Sequence, residues 1–573
     1  MPTVVFSLTD LQDLVGQQLS PDKLESLASY AKGSIEKTNQ EANEVTISFD
    51  DTNLPYLWSV EGFARLCRGI LGIEPGIPYI KVAGSSLSLI VDDSVGVVRP
   101  YIGAFLAEGK QVSDAFLKQL IQLQEKLDES FGRKREKISI GIYRAGQVKF
   151  PVTYKAVPPD SVSFVPLGFP HEMSLRNILE EHPKGKEYSW ILKQHKMYPL
   201  LVDAKGEVLS FPPIINSNST GRVLENDDHL FIEATATDKH GLKIVLAILA
   251  FALADRGFSL SSIEVRRGSK KAVTPDLAPE KVNITLGQVR KLLGLELKNK
   301  EVIGLLEKAR YHVSTTLSVS IPPYRGDILH PCDIIEDIGI MYGFGSIEEK
   351  PLTTYTAGKS NPLHDFKKIA RELFVGLGYQ EVMSPILSSL NMLSARMQLS
   401  PLSDNGKDSA KESPAIDNPV VIENPMSETY SCLRSWIIPQ LMDFLSKNTH
   451  NPYPQKVFEA GRVAMVKPGQ GSGQKTVAEH EHLAAVSAHD SVDYTEARQA
   501  VDFTLSQLGL AGEIKKIEHP SFLPGRAARI IIDGKAAGFL GELHPSVLET
   551  HKVMVPVVAL ELDLDALFEL VTK

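Results

Sequence analysis

Carboxylates crowd one short stretch of the chain, YRGDILHPCDIIEDIGIMYGF, which holds Asp327, Asp333, Glu336 and Asp337. The spacing of Asp333, Glu336 and Asp337 puts all three on one face of a helix. Asp327 falls in the turn that enters this helix, and Pro331 stands where a first-turn proline is tolerated. Like charges on one face repel unless something offsets them. A hard divalent cation such as Mg²⁺ takes oxygen ligands and would do so. A solvated acidic first turn, favoured by the helix dipole, accounts for the same spacing.

A second constellation mixes polar and apolar groups. In YPLLVDAKGEVLSFPPIINSNSTGRV, the run Ser210 to Asn216 sets a hydroxyl and an amide beside two prolines that fix the backbone. In HLFIEATATDKHG, Glu233 and Thr235 alternate on one strand face, opposite Ile232 and Ala234. Leu201, Ser210, Glu233 and Thr235 together could line a small pocket suited to a substrate hydroxyl. A sheet with a solvated polar face fits the same pattern equally well. Two weaker signals lie further on. GQGSGQKT (469–476) nearly matches a phosphate-binding loop, but Gln474 replaces the glycine needed before the lysine, so a surface loop is expected. His480 and His482 show no third ligand nearby and are read as part of a solvated loop. No Ser/His/Asp or Cys/His arrangement calls for a protein nucleophile. The last third also lacks an Arg-x-Glu after Phe and a Gly-Arg-rich closing motif, so no nucleotide site is evident there.

The elements that must position these groups follow from periodicity and punctuation. Residues 1–85 read as a small α/β unit, with a short amphipathic helix from Asp10 and a strand over EVTISFD (44–50). Residues 86–270 alternate strands with helices. Asp238 is the expected N-cap of a helix through Ala254, and Gly257 its stop. VTPDLAPEKV (273–282) marks a junction. Residues 271–352 hold three helices and the strand LSVSIPP, the third helix ending near Gly343. Residues 353–573 are again α/β, with polar loops expected over 400–418 and 467–482.

A 573-residue chain is too long for one core, so about three to five domains are expected, each burying a core of its own. Net charge is −9, which argues against a globally basic nucleic-acid coat but leaves room for a local basic surface. Cys67, Cys332 and Cys432 are scattered and odd in number, which points to a reducing compartment. The start has no basic segment ahead of an apolar run, and the most apolar run, 244–254, is too short to span a bilayer. A cytoplasmic protein without membrane attachment is expected. Asn218-Ser-Thr, a formal glycosylation acceptor, is then without meaning.

Taken together, these phrases resemble the β subunits of phenylalanyl-tRNA synthetases. PLGFPHEMSLRNILEEHPKGKEYSWIL (166–192) with SFPPIINSNSTGRV resembles that family's B3/B4 editing domain in its archaeal and eukaryotic form. TPDL through PPYRGDILHPCDIIEDIGIMYGFGSI resembles its B5 domain. NPMSETYSCLRSWIIPQLM (424–442), KVFEAGRV (456–463) and LPGRAARIIIDGKAAGFLGELHPSVLE (523–549) resemble its class II-like core, which keeps the fold without the active site.

The resemblance implies an α+β multidomain chain: an N-terminal domain (1–85), a B3/B4 editing domain (86–270), a winged-helix-like B5 domain (271–352) and a class II synthetase-like antiparallel sheet core (353–573). It assigns Asp327, Asp333, Glu336 and Asp337 to Mg²⁺ at a site shared with an α subunit. It assigns Leu201, Ser210, Glu233 and Thr235 to a pocket that hydrolyses tyrosine wrongly attached to tRNA(Phe). Relatives often carry Asp where this chain has Glu233, which keeps the charge but moves the carboxylate. ATP, phenylalanine and the terminal adenosine are expected on the α subunit of an (αβ)₂ heterotetramer. The start does not read as an OB-type tRNA-binding domain, and the chain ends soon after the core, both as in the archaeal and eukaryotic-like type. Two rivals are a stand-alone Tyr-tRNA deacylase and a non-catalytic scaffold subunit. The final 220-residue region argues against the first, and Ser210 and Thr235 against the second.

Overall fold

Helix signals in the sequence are honoured closely. Ser7, Ser20 and Ser59 each cap a helix with the side-chain oxygen, opening Leu8–Val15, Pro21–Tyr30 and Val60–Ile70. Asp238 caps Lys239–Asp255, and Gly257 follows in the left-handed region at φ 87°. Pro331 stands in the first turn of Pro331–Tyr342, which ends at Gly343. These assignments come from a computed structural model that describes residues 2–39, 41–399, 419–468 and 475–572. The loop expected over 400–418 lies outside the described residues. Among the described residues, no helix is long and apolar enough to cross a membrane.

The chain divides into two units, Met1–Pro351 and Leu352–Lys573. The first opens with an antiparallel sheet in the order Thr3–Ser7, Glu44–Phe49, Gly33–Asn39. An eleven-stranded mixed sheet follows. Its main path runs Ile215–Asn216, Val208–Phe211, Tyr198–Val202, Val152–Val157, Ser88–Val91, Ser259–Arg267, Tyr101–Glu108, His229–Ala236, Ile138–Arg144. The sheet curls until its two ends meet, so that Tyr143 on the last strand reaches Asn216 on the first. A three-stranded sheet (Glu280–Asn283, Ser318–Ile321, His312–Val313) and the helices Leu286–Leu293, Asn299–Lys308 and Pro331–Tyr342 complete the unit.

Separate cores were expected for the segments of this first unit, and one of its clusters is instead shared among them. A single apolar cluster runs from Val4 to Met341 and takes in the apolar run Ile244–Leu253 of helix Lys239–Asp255. Ion pairs tie the same segments. Arg65, with only 2% of its side chain exposed, donates to Asp255, as does Arg68. Arg256 binds Asp10 and Glu61. Gly69 permits close approach, since a Cβ there would lie 2.3 Å from the Lys308 carbonyl oxygen.

The second unit is built on a seven-stranded sheet: Gln380–Glu381, Gln455–Pro468, Lys475–Ala488, Val557–Asp563, Lys535–Leu543, Phe522–Ile532, Glu513–Lys516. All pairs are antiparallel except the first. Strand alternation splits its apolar residues between two cores. Ala484 and Val486 pack with helix Ile438–Lys447, whereas Leu483 and Ala485 face helices Pro362–Gly376, Tyr494–Gln507 and Leu564–Val571.

The described part of 467–482 is not the loop expected. Lys475–Ala488 pairs along its length with Gln455–Pro468, from Pro468↔Lys475 to Gln455↔Ala488. Half-exposed positions with few large apolar groups hide such a strand from local pattern, because its partner supplies the hydrogen bonds. Residues 469–474 of the phosphate-loop near-match lie outside the described residues.

Candidate functional site

Where the curled sheet closes on itself it leaves a cavity of about 190 Å³. One wall is Ser210 with Pro212, Pro213, Ile214, Ile215 and Asn216 from the first strands of the path. The opposite wall is Glu233 and Ser139 from its far end, with Arg135 and Lys184 also lining the space. The prolines hold the backbone so that Ser210 and Asn216, paired in register, face inward together.

Glu233 is 2% exposed. Its Oε1 accepts a hydrogen bond from the Tyr143 hydroxyl at 2.9 Å, while its Oε2 is buried with no partner. Burial pushes this carboxyl up to about 8, against the opposing pull of Tyr143 and Arg99. That burial favours the protonated form, which can donate as well as accept. Ser210 Oγ lies beside the Tyr143 hydroxyl without completing a hydrogen bond. Gly141, opposite Glu233 in register, is required: a Cβ there would sit 2.2 Å from Tyr143 Oη and 2.3 Å from Glu233 Oε1. Asp128, buried beneath this wall, accepts from the Ile140 amide, and burial raises it to about 7.

The four residues singled out by sequence separate here. Ser210 and Glu233 line the cavity. Thr235 and Leu201 are fully buried and do not appear on its wall. Thr235 Oγ1 accepts from Arg99 Nε at 2.8 Å, and Arg99 also donates to the Thr235 and Glu136 carbonyls. Leu201 is the register partner of Ser210 and packs in the cluster that holds Tyr143 and Phe231. Tyr143, Arg99 and Arg135 carried no local signal, since each reaches the site from an element far off in sequence.

The acidic helix lies at a second, smaller cleft of about 60 Å³, whose wall includes Asp327, Asp333, Glu336 and Asp337. Arg325, unnoticed in the sequence though two residues from Asp327, sits among them. It pairs with Asp327 and donates to Asp337 at 2.9 Å, and Tyr311 also donates to Asp337. Burial raises Asp337, with Arg325 pulling the other way. Burial also pushes Asp333 up, but the His330 and Leu329 amides outweigh it and hold the carboxyl below its usual value. Glu336 reaches Lys32, which also binds Asp51. Five carboxylates thus face two bases, Lys32 and Arg325, leaving the cleft with an excess of three negative charges. This all-oxygen donor set suits Mg²⁺, which favours such ligands and keeps several waters. Each of the four already has a protein partner: Arg325 for Asp327 and Asp337, the Leu329 and His330 amides for Asp333, and Lys32 for Glu336. The four carboxylates do not converge on one point.

The histidine pair is corrected. His480 and His482 stand on the Lys475–Ala488 strand, and Asp563 and Asp565 bring ligand atoms within 4.8 Å of His480. Structural roles account for these groups. Asp563 caps helix Leu564–Val571, Asp565 accepts from the Glu481 amide, and Lys467 Nζ lies 2.8 Å from His480 Nε2. His482 pairs with buried Glu561, which also takes the Ile437 and Ile438 amides.

Residues 282–344, which hold the acidic helix, match the tRNA synthetase B5 domain, and residues 347–564 match the phenylalanyl tRNA synthetase beta chain CLM domain. A multidomain α+β chain with these parts is a subunit of an aminoacyl-tRNA synthetase, a ligase of protein biosynthesis. Similar proteins include the phenylalanine–tRNA ligase β subunits of Thermococcus kodakarensis (39% identical, 99% of each chain covered) and Archaeoglobus fulgidus (37%, 99% of each). The crystal structure of an N-terminal fragment of the phenylalanyl-tRNA synthetase β subunit from Pyrococcus horikoshii is 39% identical, with a TM-score of 0.58 over 60% of this chain and 99% of that one. The chain belongs to the phenylalanine–tRNA ligase β-subunit family.

Proposed function

We propose that this subunit hydrolyses tyrosine wrongly esterified to tRNA(Phe), at the cavity between Ser210 and Glu233. One observation carries this: a buried carboxyl with a partnerless oxygen, Glu233 Oε2, at a cavity of about 190 Å³. A tyrosine phenol entering there satisfies that oxygen. A phenylalanine ring leaves it unpaired, and a buried unpaired polar group costs about 1–3 kcal/mol. The same carboxyl thus favours the wrong ester and rejects the right one, which an apolar pocket does poorly. Tyr143 holds Glu233 in place, Arg99 fixes the strand through Thr235, and Leu201 backs Ser210. Water is the nucleophile: its oxygen adds to the ester carbonyl, and the tRNA hydroxyl leaves with the proton. Purified chain should deacylate Tyr-tRNA(Phe) and spare Phe-tRNA(Phe). Unchanged hydrolysis in both Glu233→Ala and Thr235→Ala would place the activity elsewhere.

The same reading divides the chain into an N-terminal domain (1–85), a B3/B4 editing domain (86–270), B5 (271–352) and a class II synthetase-like core (353–573). The two-faced antiparallel sheet and its flanking helices support that last assignment. ATP and phenylalanine are handled by an α subunit, in a cytoplasmic (αβ)₂ heterotetramer that binds tRNA(Phe). Mg²⁺ would be held among Asp327, Asp333, Glu336 and Asp337, where it would offset the negative charge of the acidic cleft. Alanine at Asp333 and Glu336 should lower both Mg²⁺ content and assembly with α. Unchanged values in both would return these residues to a solvated helix turn.

A further inference from the structure

The cavity's rim includes a turn built against its own backbone preference. Arg133, Lys134 and Arg135 follow one another at φ 51°, 51° and 65°, a left-handed region that side chains other than glycine's rarely adopt. Three such residues in succession persist only where the surroundings dictate them. Here the turn folds back on Leu127–Phe131. Lys134 N donates to Glu129 O, Arg135 N to Asp128 O and Lys137 N to Gly132 O. Arg99, buried, fastens its far side through the Glu136 carbonyl.

The strain sets charge at the cavity. Arg135 donates to the Ile214 carbonyl at 3.0 Å, and its guanidinium lies 4.5 Å from the centre of the Tyr188 ring. Lys184, one helical turn from Tyr188 on Pro183–Leu192, lines the same cavity. Arg133 and Lys134 are exposed, and among the described residues neither forms an ion pair. Of the nearby acids, Asp128 pairs with Arg135, Glu187 with Lys184, and Glu129 accepts from Tyr188, while Glu136 is exposed. Arg133 and Lys134, next to the cavity-lining Arg135, are thus the cations without an ion pair there, and a polyanion is a fitting partner for them.

We infer that the Arg133–Arg135 turn, with Lys184, clamps the phosphodiesters of a single-stranded RNA end whose terminal ester occupies the Ser210–Glu233 cavity. This rests on the editing reading for the cavity's occupant, but not for the RNA contact itself. Glycine provides a clean test, because at these φ values it relieves strain while deleting charge. The full-length chain and its Arg133→Gly/Lys134→Gly double variant are titrated with a short single-stranded RNA ending in CCA, over a range of salt. The variant should melt no lower than the parent. Its slope of log K against log salt should fall by about 0.7 for each lost phosphate contact, about 1.4 for both. On Tyr-tRNA(Phe), KM should rise several-fold with kcat unchanged. A parental salt slope in a folded variant overturns the clamp. An equal loss of affinity for duplex RNA overturns it too. If the parent binds this RNA with the expected slope yet never deacylates Tyr-tRNA(Phe), the editing reading fails and the clamp stands.

Discussion

Replacing Glu233 by glutamine keeps the side chain's shape and removes its ability to ionise. Burial raises this carboxyl from 4.5 to about 8, so the folded chain holds the proton more tightly than the unfolded one. The resulting stabilisation is fully present below about pH 4.5 and is lost as pH rises to about 8. A gap of about 3.5 pH units corresponds to on the order of 5 kcal/mol. Glutamine never ionises and escapes that loss. The Glu233→Gln chain should therefore melt close to the parent at acid pH and well above it at about pH 9. For a unit the length of Met1–Pro351, at about 1.4 °C per kcal/mol, the separation is about 7 °C. Deacylation of Tyr-tRNA(Phe) near neutral pH should survive within a few-fold, since the amide N–H replaces the acid O–H beside the phenol. The parent's decline in activity above about pH 8 should vanish in the variant. Parallel melting curves for the two chains across pH would refute a buried, protonated Glu233.

Arg325→Met removes the cation between Asp327 and Asp337. Leaving two buried carboxylates unpaired should cost about 3–5 kcal/mol, read as a lower urea midpoint with loss of amide protection in residues 331–342. Gly141→Ala drives a methyl into Tyr143 and Glu233. It should cost about 1–3 kcal/mol and abolish Tyr-tRNA(Phe) hydrolysis. His519 and His551 are buried and neutral, pulled down to about 4 by loss of hydration. Their contribution is complete above about pH 6.5 and fades as pH falls to about 4, by about 3 kcal/mol each. His519→Gln should flatten that acid limb in urea titrations.

Local pattern was enough wherever a few neighbouring residues decide the outcome. Asp238 before the apolar run, Pro331 with Gly343, and the alternation of EVTISFD all announce elements that are present. Ser210 and Glu233 were visible as polar groups on otherwise apolar strands. What stayed hidden is non-local. Tyr143 meets Glu233 across 90 residues, and Arg99 meets Thr235 across 136. Thr235 alternates in step with Glu233, yet a buried arginine takes its hydroxyl, a partner no spacing rule supplies. Arg325 shows why counting carboxylates misjudges a charge cluster: a single buried guanidinium engages two of the four. The strand Lys475–Ala488 was missed because its polar half is held by its partner rather than by burial of its own side chains.

The core shared by residues 4 to 341 also sets a schedule on the ribosome. Arg65 emerges 190 residues before Asp255, and Lys32 emerges 304 before Glu336. At roughly 5–20 residues per second, the N-terminal helices wait about 10–40 s for helix Lys239–Asp255 to be made. Throughout that interval Arg65, buried in the finished protein, lacks the Asp255 carboxylate that pairs with it. Slowing translation ahead of residue 239 should lower the yield of native protein more than the same pause placed beyond residue 352.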